Sequence, residues 1–527
     1  MRPLRDRLPF DTPQPADPAA RRRARVLRVA AYVGVAAAFV VPVAQFQSGT
    51  VKALRKAAKF DRECPQWTPA FGRASGIDRP SGHKGAIGRW RNAARQMWAG
   101  RNIYEFVPED YTLVDTQPAG EAPSPELRGI VWMHPNMPFT AILLTPFAYL
   151  SAPAGALAYN VLKLLALAAA VLMSARLAGH DGRRIADWVA LLGVLWTAMF
   201  IVGDIQHGNT NVFALAGIVL HLWLYRRGRD VLAGAPLAAA ICLKMTPALF
   251  LLYWLYQRNW RMLASAVVWL AALAVMVPAA TLGPGRYGTL VSTWYRNMIA
   301  PGLTKGSWYP EHINQSLSGV VSRYFLEGRD GDIYWGPDDD PRYLGRKHGW
   351  ITLVAMSGAA ARWVLRAGQL AVVALMAWAI GWRRLPRDDG RRALHYALVL
   401  LGMMLLNQRT WNHHAAVLLP AAVAIWQGIA FGRIRRRARR WALGLTLAAG
   451  GFHWLARGEL IEGVARLLGH APDGAEHVSD VMKAFGPTFY CFVLLFAAAV
   501  VLAASLRTGP APYAEQRQKL GEIKSAP

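Results

Sequence analysis

One eight-residue segment, NQRTWNHH (407–414), places several ionisable side chains between two long apolar stretches. Ionisable groups at membrane depth cost free energy and commonly mark a functional site. A simpler interpretation is interfacial capping, in which polar residues at a span end bind water and lipid headgroups. The turn GDIQHGNTN (203–211) and the short run LKMTP (243–247) share the pattern. The candidates of this first group are Arg409, His413, His414, Lys244, Asp204, Gln206, Asn209 and Asn211.

A second cluster mixes aromatic and hydrogen-bonding residues in SWYPEHINQSLSGVVSRYF (307–325). Aromatic rings pack on the apolar faces of a sugar, while amides and a carboxylate pair with its hydroxyl groups. The segment therefore indicates a sugar-binding loop, although an interfacial loop with an aromatic belt has a similar composition. The candidates of this second group are Glu311, His312, Asn314 and Gln315.

Metal and nucleotide sites are not predicted. Adjacent residues such as His413 and His414 point about 100° apart on a helix, whereas zinc-binding His pairs are usually four residues apart. The glycines of GPGRYG (283–288) do not form a phosphate-binding loop. We therefore expect no cofactor, no ATP-driven transport and no nucleotide-sugar fold. The three cysteines form no ligand or disulfide framework: Cys64, Cys242 and Cys491.

The elements that must position these clusters are membrane helices. The chain has 527 residues, 54% of them hydrophobic, and its mean hydropathy is positive. Apolar blocks of about 18–22 residues recur, long enough to cross a bilayer core of about 30 Å. This pattern predicts an all-α, polytopic membrane bundle of about 10–13 spans. The expected spans are 27–46, 153–176, 186–203, 209–226, 262–282, 364–382, 393–407, 412–431, 440–456 and 486–506.

Two apolar segments of half that length, 231–243 and 245–257, flank Lys244. Both outer ends of the pair are basic, so a hairpin that dips into the membrane with Lys244 near its tip is expected. A further short apolar segment at 138–151 is expected to insert partway.

The chain has a net charge of +28, and its basic clusters each abut an apolar span. This is the positive-inside pattern of cytoplasmic span ends, whereas a nucleic-acid-binding protein concentrates its charge on one soluble face. We therefore expect no nucleic-acid partner, and a multi-pass protein of the inner membrane with a cytoplasmic N-terminus. The clusters are RRRARVLR (21–28), YRRGR (225–229), QRNWR (257–261), WRRLPRDDGRR (382–392) and GRIRRRARR (432–440).

This topology divides the chain into a cytoplasmic tail (1–26), a membrane domain (27–506) and a second cytoplasmic tail (507–527). The long outer loops at 47–137 and 283–350 exceed plain connectors in length and are expected to be functional. The polar clusters fall outside and the basic clusters inside.

Six segments together resemble glycosyltransferase family 87, a family of membrane mannosyltransferase-like proteins. No single motif is specific, but the order and spacing of the segments carry the resemblance over about residues 27–435. The segments are RWRNAARQMWAGRNIYEF (89–106), WMHPNMPFTAILLTPFAYL (132–150), QHGNTNVFAL (206–215), LKMTPALFLLYWLYQRNWR (243–261), HINQSLSGVVSR (312–323) and NQRTWNHHAAVLLP (407–420).

The resemblance implies a helical bundle of the GT-C type with an outward-facing active site. It implies a polyprenyl-phosphate-linked sugar donor, commonly mannose, a glycolipid or glycan acceptor, and inversion at the anomeric carbon. In that scheme Arg409, His414 and Lys244 bind the donor phosphate and His413 joins the catalytic group. The remaining polar candidates of the turn and the second cluster line the sugar pocket.

The chain departs from the family pattern at the expected general base. The usual Asp falls near 86–88, in HKGAIGRW, which has no carboxylate. Asp78 could serve if the loop folds differently, Glu311 could replace it, or catalysis could be absent. The catalytic candidates are therefore Asp78, Glu311 and His413.

Two readings from other classes stay open at this point. A transporter or flippase of a lipid-linked sugar would also place polar residues at span ends and use a broken hairpin. No obvious similarity between two halves of the chain supports it. A membrane scaffold without chemistry would leave the polar clusters unexplained.

Overall fold

The structure is a computed structural model that describes Phe10 and residues 18–67, 84–104, 135–300, 308–326 and 351–507. Asp78, most of both tails and much of the two long outer loops lie outside these ranges. The described residues are helical, with isolated β-bridges in place of extended strands.

The helices in chain order are α1 (Pro18–Glu63), α2 (Ile87–Trp98), α3 (Pro138–Ala148), α4 (Ala152–Ala178), α5 (Asp187–His207), α6 (Asn211–Arg226), α7 (Asp230–Leu243), α8 (Thr246–Tyr256), α9 (Trp260–Leu282), α10 (Pro284–Trp294), α11 (Leu317–Phe325), α12 (Gly358–Ile380), α13 (Arg392–Leu406), α14 (Asn412–Phe431), α15 (Arg436–Leu455), α16 (Gly458–Leu467), α17 (Pro472–Ala484) and α18 (Pro487–Arg507).

Seven helices of the described chain are long and apolar enough to cross a membrane. The chain is thus a multi-pass, all-α membrane protein, as the apolar blocks predicted. Three of the ten expected spans are helical but are not among the seven, because two are too short and one carries several arginines. These are α6, α13 and α15.

The first expected span continues as helix well beyond residue 46. α1 runs without a break from Pro18 to Glu63, so the first part of the predicted outer loop 47–137 is helical. The segment between the last two expected spans likewise contains two short helices, α16 and α17.

The centre of the bundle is α13, which is buried from Arg392 to Leu405. A helix that is apolar on all sides has to be surrounded by other elements, and α12, α14 and α18 pack around it. α5 and α14 also pack closely, and this contact depends on a glycine. A Cβ on Gly193 of α5 would lie 2.4 Å from Val423 of α14.

The predicted half-length pair is present as α7 and α8, which meet at Lys244. His221 of α6 helps to fasten the pair: its Nδ1 lies 2.8 Å from Ala233 O. Trp254 of α8 donates to His221 Nε2 at 2.9 Å. Both ring nitrogens of this histidine are therefore used in packing.

Three of the basic clusters meet at one end of the bundle. Arg387 donates to both carboxylate oxygens of Asp230 at 2.7 Å. Arg226 donates to Asp388 O at 3.2 Å, and Arg384 contacts the Arg258 carbonyl. We call this the basic end.

Within the basic end, Asp389 is buried and accepts from the guanidinium of Arg391 at 2.7 to 3.1 Å. Burial alone would raise the pKa of Asp389, but the adjacent His180 and Arg391 outweigh burial and hold that pKa well below its usual range.

Candidate active site

The turn between α5 and α6 is anchored by a buried carboxylate, Asp204. Lys163 Nζ lies 2.9 Å from Asp204 Oδ2 and donates to its carbonyl at 3.1 Å. Asn211 donates to Asp204 Oδ1 from its backbone at 3.1 Å and from its side chain at 2.8 Å. Gly208 ends α5 with φ +61°, a left-handed conformation that glycine adopts without strain. Asp204 and Asn211 therefore shape the turn, and Asp204 is 0% exposed.

Lys163 is a functional candidate that the sequence reasoning missed. It lies within α4, a helix of otherwise apolar character, and is 0% exposed. A scan of each span for isolated charges would have found it, because a lysine at membrane depth requires a partner. Its ammonium also lies 4.9 Å from the centre of the Tyr159 ring.

Three histidines gather at the same end of the bundle. His413 Nε2 lies 2.9 Å from Asn209 Nδ2, and its ring centre is 4.7 Å from that of His207 and 4.8 Å from that of His414. Since the Asn209 amide nitrogen is a donor, His413 accepts at Nε2 and carries its proton at Nδ1. His207 and Gln206 are exposed at the turn.

His414 is oriented by its own helix start. Its Nδ1 accepts from the backbone N–H of Trp411 at 3.3 Å, and its ring stacks on the Trp411 indole at 20°. The neutral imidazole therefore carries its proton at Nε2, which makes that atom a hydrogen-bond donor.

The second polar cluster packs directly on the 407–414 turn. Asn314 is fully buried, and its Nδ2 donates to the carbonyls of Tyr309 at 2.8 Å and Gln408 at 2.9 Å. Its Oδ1 accepts from the Thr410 N–H at 3.0 Å. Gln315 N donates to Thr410 O at 2.6 Å. These amides hold the two segments together and are not open to a ligand.

Glu311 is paired with two side chains of the turn. Its carboxylate forms an ion pair with Arg409 and accepts from Trp411 Nε1 at 3.2 Å. The Arg409 guanidinium also lies 5.1 Å from the centre of the Tyr309 ring. Arg409 is thus largely neutralised here, and His312 faces Asp480 of α17 at 3.4 Å.

Arg323 of α11 stabilises this cluster by hydrogen bonds to backbone carbonyls. It is 0% exposed and donates to the carbonyls of Glu311 at 2.6 Å, Asn314 at 2.8 Å and Ala484 at 2.8 Å. Burial lowers the pKa of Arg323 to about 10, so the guanidinium remains charged at neutral pH.

Lys244 lies close enough to the histidines for its charge to act on His413 and His414. It is half-buried, and among the described residues its ammonium has no ion-pair partner. Arg89 of α2 acts electrostatically on both Lys244 and His207. A site with this excess of cations suits an anion.

The segment 86–88, where the family resemblance implies a general base, lies beside this cluster. Ala86 N donates to His207 O at 2.6 Å, and Trp90 Nε1 donates to Gly208 O at 3.2 Å. Residues 86–88 are buried and carry no carboxylate. Asp78 lies outside the described residues, so its position relative to the site stays a prediction.

The structure therefore brings together Lys244, the histidines, Arg409 and Glu311 at one end of the bundle. The helix geometry separates this site from the basic end. Asp204 and Asp187 are 17 residues apart on α5 (204 − 187), which is about 26 Å at a rise of 1.5 Å per residue. Among the described residues, no group of three or more His, Cys, Asp and Glu side chains is placed to hold a metal ion.

A protein-family model matches residues 132–406, just over half of the chain, and its description is glycosyltransferase family 87. The chain belongs to glycosyltransferase family 87. The match includes α3 to α13 and ends one residue before the 407–414 turn. Family membership confirms the resemblance that the six segments predicted.

A curated relative is the polyprenol-phosphate-mannose-dependent alpha-(1-2)-phosphatidylinositol mannoside mannosyltransferase of Mycobacterium tuberculosis. It is 28% identical over 337 residues, which cover 60% of this chain. The aligned part is 66% of the length of that relative.

Two solved structures of ArnT from Cupriavidus metallidurans, one bound to undecaprenyl phosphate and one in the apo state, are also similar. Each is 14% identical with a TM-score of 0.33. They cover 79% and 80% of this chain, which matches 73% of each ArnT chain.

Proposed function

We propose that the protein transfers a sugar, most simply mannose, from a polyprenyl-phosphate donor to a glycolipid or glycan acceptor, with inversion at the anomeric carbon. The observation that carries the proposal is the cation-rich site at one end of the bundle, in a chain that belongs to glycosyltransferase family 87. The named donor of the Mycobacterium tuberculosis relative supports the choice of lipid-linked mannose.

The leaving group of this reaction is a lipid phosphate that develops negative charge as the glycosidic bond breaks. Lys244 is the cation that would stabilise it, since preorganised donors act strongly in a site with little water, and His414 lies beside it with its ring hydrogen-bonded to the Arg409 backbone. His413 is held by Asn209 and completes that face. Arg409 would contact the phosphate once its guanidinium releases the Glu311 carboxylate and pairs with the ligand instead.

The acceptor hydroxyl must lose a proton as it attacks the anomeric carbon. A carboxylate within hydrogen-bond reach contributes about 10²- to 10⁴-fold to such a step. Glu311 is the described carboxylate that contacts the 407–414 turn. It forms an ion pair with Arg409, so the candidate base lies directly beside the candidate phosphate-binding arginine. Asp78 remains the alternative base.

We propose that the site faces the outer side of the inner membrane and that the N-terminus is cytoplasmic. The basic end, opposite the site, then faces the cytoplasm, as the positive-inside rule requires. In this orientation the lipid tail stays in the bilayer while the sugar projects towards the outer loops.

The test is a transfer assay with purified full-length protein, radiolabelled polyprenyl-phosphate-mannose and a membrane lipid extract as the acceptor source. We expect label to move into a new glycolipid or glycan product, and we expect His413→Ala to abolish that transfer. His470→Ala is the matched control, because His470 is exposed and takes part in none of the contacts described for the site. Absence of transfer from this donor with the unchanged protein would refute the proposal.

A further inference from the structure

A cavity of about 760 Å³ lies at the basic end, between α1, α4, α5 and α6. Its volume is in the range of sites that bind small molecules. The charged part of its wall comes from the end of α4, the following loop and the end of α6. The basic residues in that wall are Arg176, Arg183, Arg184, Arg226 and Arg227.

This cavity is separate from the candidate active site. Lys163, which anchors the active-site turn, and Arg176, which lines the cavity, lie on the same helix, α4, 13 residues apart (176 − 163). At a rise of 1.5 Å per residue the distance along the helix is about 20 Å. The cavity therefore lies near the opposite membrane surface.

Three of the cavity arginines are available to a ligand. Arg176, Arg183 and Arg184 are exposed, and within the described part of the chain their side chains have no carboxylate partner. The Arg226 guanidinium already donates to Leu177 O and to Asp388 O, each at 3.2 Å. Arg227 stacks on Trp223 at 4.1 Å.

The acidic residues in the wall do not cancel these charges. Asp181 and Asp187 are each engaged in other interactions. With Asp388 they make three acids against five arginines, so the lining has a net charge of +2 (5 − 3). A phosphate or phosphodiester group is the ligand that several convergent guanidinium groups recognise best.

The remaining wall of the cavity is apolar and opens towards the lipid. Tyr32, Leu172 and Ala175 line it. Leu172 is 54% exposed and Leu165, two turns earlier on the same helix, is 62% exposed, so α4 presents an apolar stripe to the bilayer. A ligand with a charged head and an apolar tail would match both walls.

We propose that this cavity binds the phosphate-bearing headgroup of an anionic phospholipid from the leaflet at the basic end, with its acyl chains along α4. Basic pockets between membrane helices on that side are suited to anionic headgroups. The site is distinct from the proposed donor site and does not depend on the proposed sugar transfer. A free phosphate compound shares the headgroup chemistry, and the experiment separates the two sources.

The experiment measures binding to the full-length protein in detergent by native mass spectrometry, with phosphatidylglycerol, phosphatidylcholine and inorganic phosphate as probes. We expect retention of phosphatidylglycerol in preference to phosphatidylcholine. We expect the double substitution Arg183→Gln, Arg184→Gln to weaken phosphatidylglycerol binding about tenfold, because each lost charged hydrogen bond contributes to affinity.

The control is the double substitution Arg436→Gln, Arg437→Gln. It removes the same charge from exposed residues that begin α15 and do not line the cavity. Thermal melting of both variants in detergent verifies that each is folded. Binding of inorganic phosphate that is lost only in the cavity variant, without preferential retention of phosphatidylglycerol, would overturn the lipid proposal and assign the site to a soluble phosphate compound.

Equal weakening in the cavity and control variants would overturn the proposal, as would equal retention of phosphatidylglycerol and phosphatidylcholine by the unchanged protein. Since none of these measurements uses sugar transfer, failure of the cavity proposal leaves the proposed activity unaffected.

Discussion

His413 lies in the proposed phosphate-binding face. It is buried, contacts Asn209 and lies against two other histidines. We expect His413→Ala or Arg409→Ala to lower sugar transfer at least about 100-fold, the size of the effect when one preorganised donor is lost. Membrane insertion should be unchanged, which membrane fractionation checks. Normal transfer in both variants would remove these residues from the site.

Two carboxylates, Asp78 and Glu311, are the candidates for the general base. Glu311 lies beside Arg409 and Trp411, whereas residues 86–88 offer no carboxylate. We expect Asp78→Asn to reduce the rate of transfer about 10²- to 10⁴-fold if Asp78 is the base. Single-turnover assays of Asp78→Asn and Glu311→Gln decide between them, because a silent Asp78→Asn with an inactive Glu311→Gln assigns the role to Glu311.

At the scale of elements, one buried ion pair joins α4 to α5. Lys163 and Asp204 are both 0% exposed and 2.9 Å apart. Removing one partner of a buried pair leaves an uncompensated charge and costs about 3–5 kcal/mol. We therefore expect Lys163→Met to lower the thermal midpoint of the purified protein substantially.

The double substitution Lys163→Met, Asp204→Asn serves as its control. It removes both charges but keeps a side-chain oxygen as the acceptor for Asn211, so most of the lost thermal stability should return. A double variant no more stable than Lys163→Met would show that the pair is not what joins the helices.

A second prediction concerns Asp389, which lies in the loop before α13 and pairs with Arg391 at the basic end. Its pKa lies well below the usual value in the folded protein and is about 3.9 when unfolded. The stability that it contributes is therefore present above about pH 4 and is lost as the pH falls further. We expect Asp389→Asn to melt at a lower temperature at pH 7, by an amount that shrinks on acidification below pH 4.

At the scale of the whole molecule, the chain separates its charges between two ends. The active-site turn and the basic end lie at opposite ends of α5. In a Cys64→Ser background, we expect Gln206→Cys to react with a membrane-impermeant maleimide in intact cells and Arg436→Cys to react only after lysis. Both positions are exposed. Labelling of both from the same side would contradict the proposed topology.

The transporter alternative is not favoured at this scale, since the chain belongs to glycosyltransferase family 87. The scaffold alternative would leave the cation-rich site without a role. Transfer of the sugar from the lipid donor is the part of the proposal that the assay tests.

Much of the fold could be read from local patterns, because apolar length and arginine placement act within each segment. The paired short helices around Lys244 are an example, and so is the helix over 152–178. Span ends were harder to place: α1 stays helical to Glu63 because the bonds of a helix do not end where the apolar residues do. The lengths of α6 and α13 likewise depend on burial within the bundle.

The sequence by itself determined that this is an α-helical membrane protein with polar clusters between its spans, since burial in lipid allows few alternatives. Only the tertiary structure decided which polar residues meet. It showed that Asn314, Gln315 and Asp204 bind other parts of the protein and hold the turns. It also paired Glu311 with Arg409 and identified Lys163 as the buried partner of Asp204. Hydrogen-bond partners distant along the chain are set by packing, which no short segment encodes.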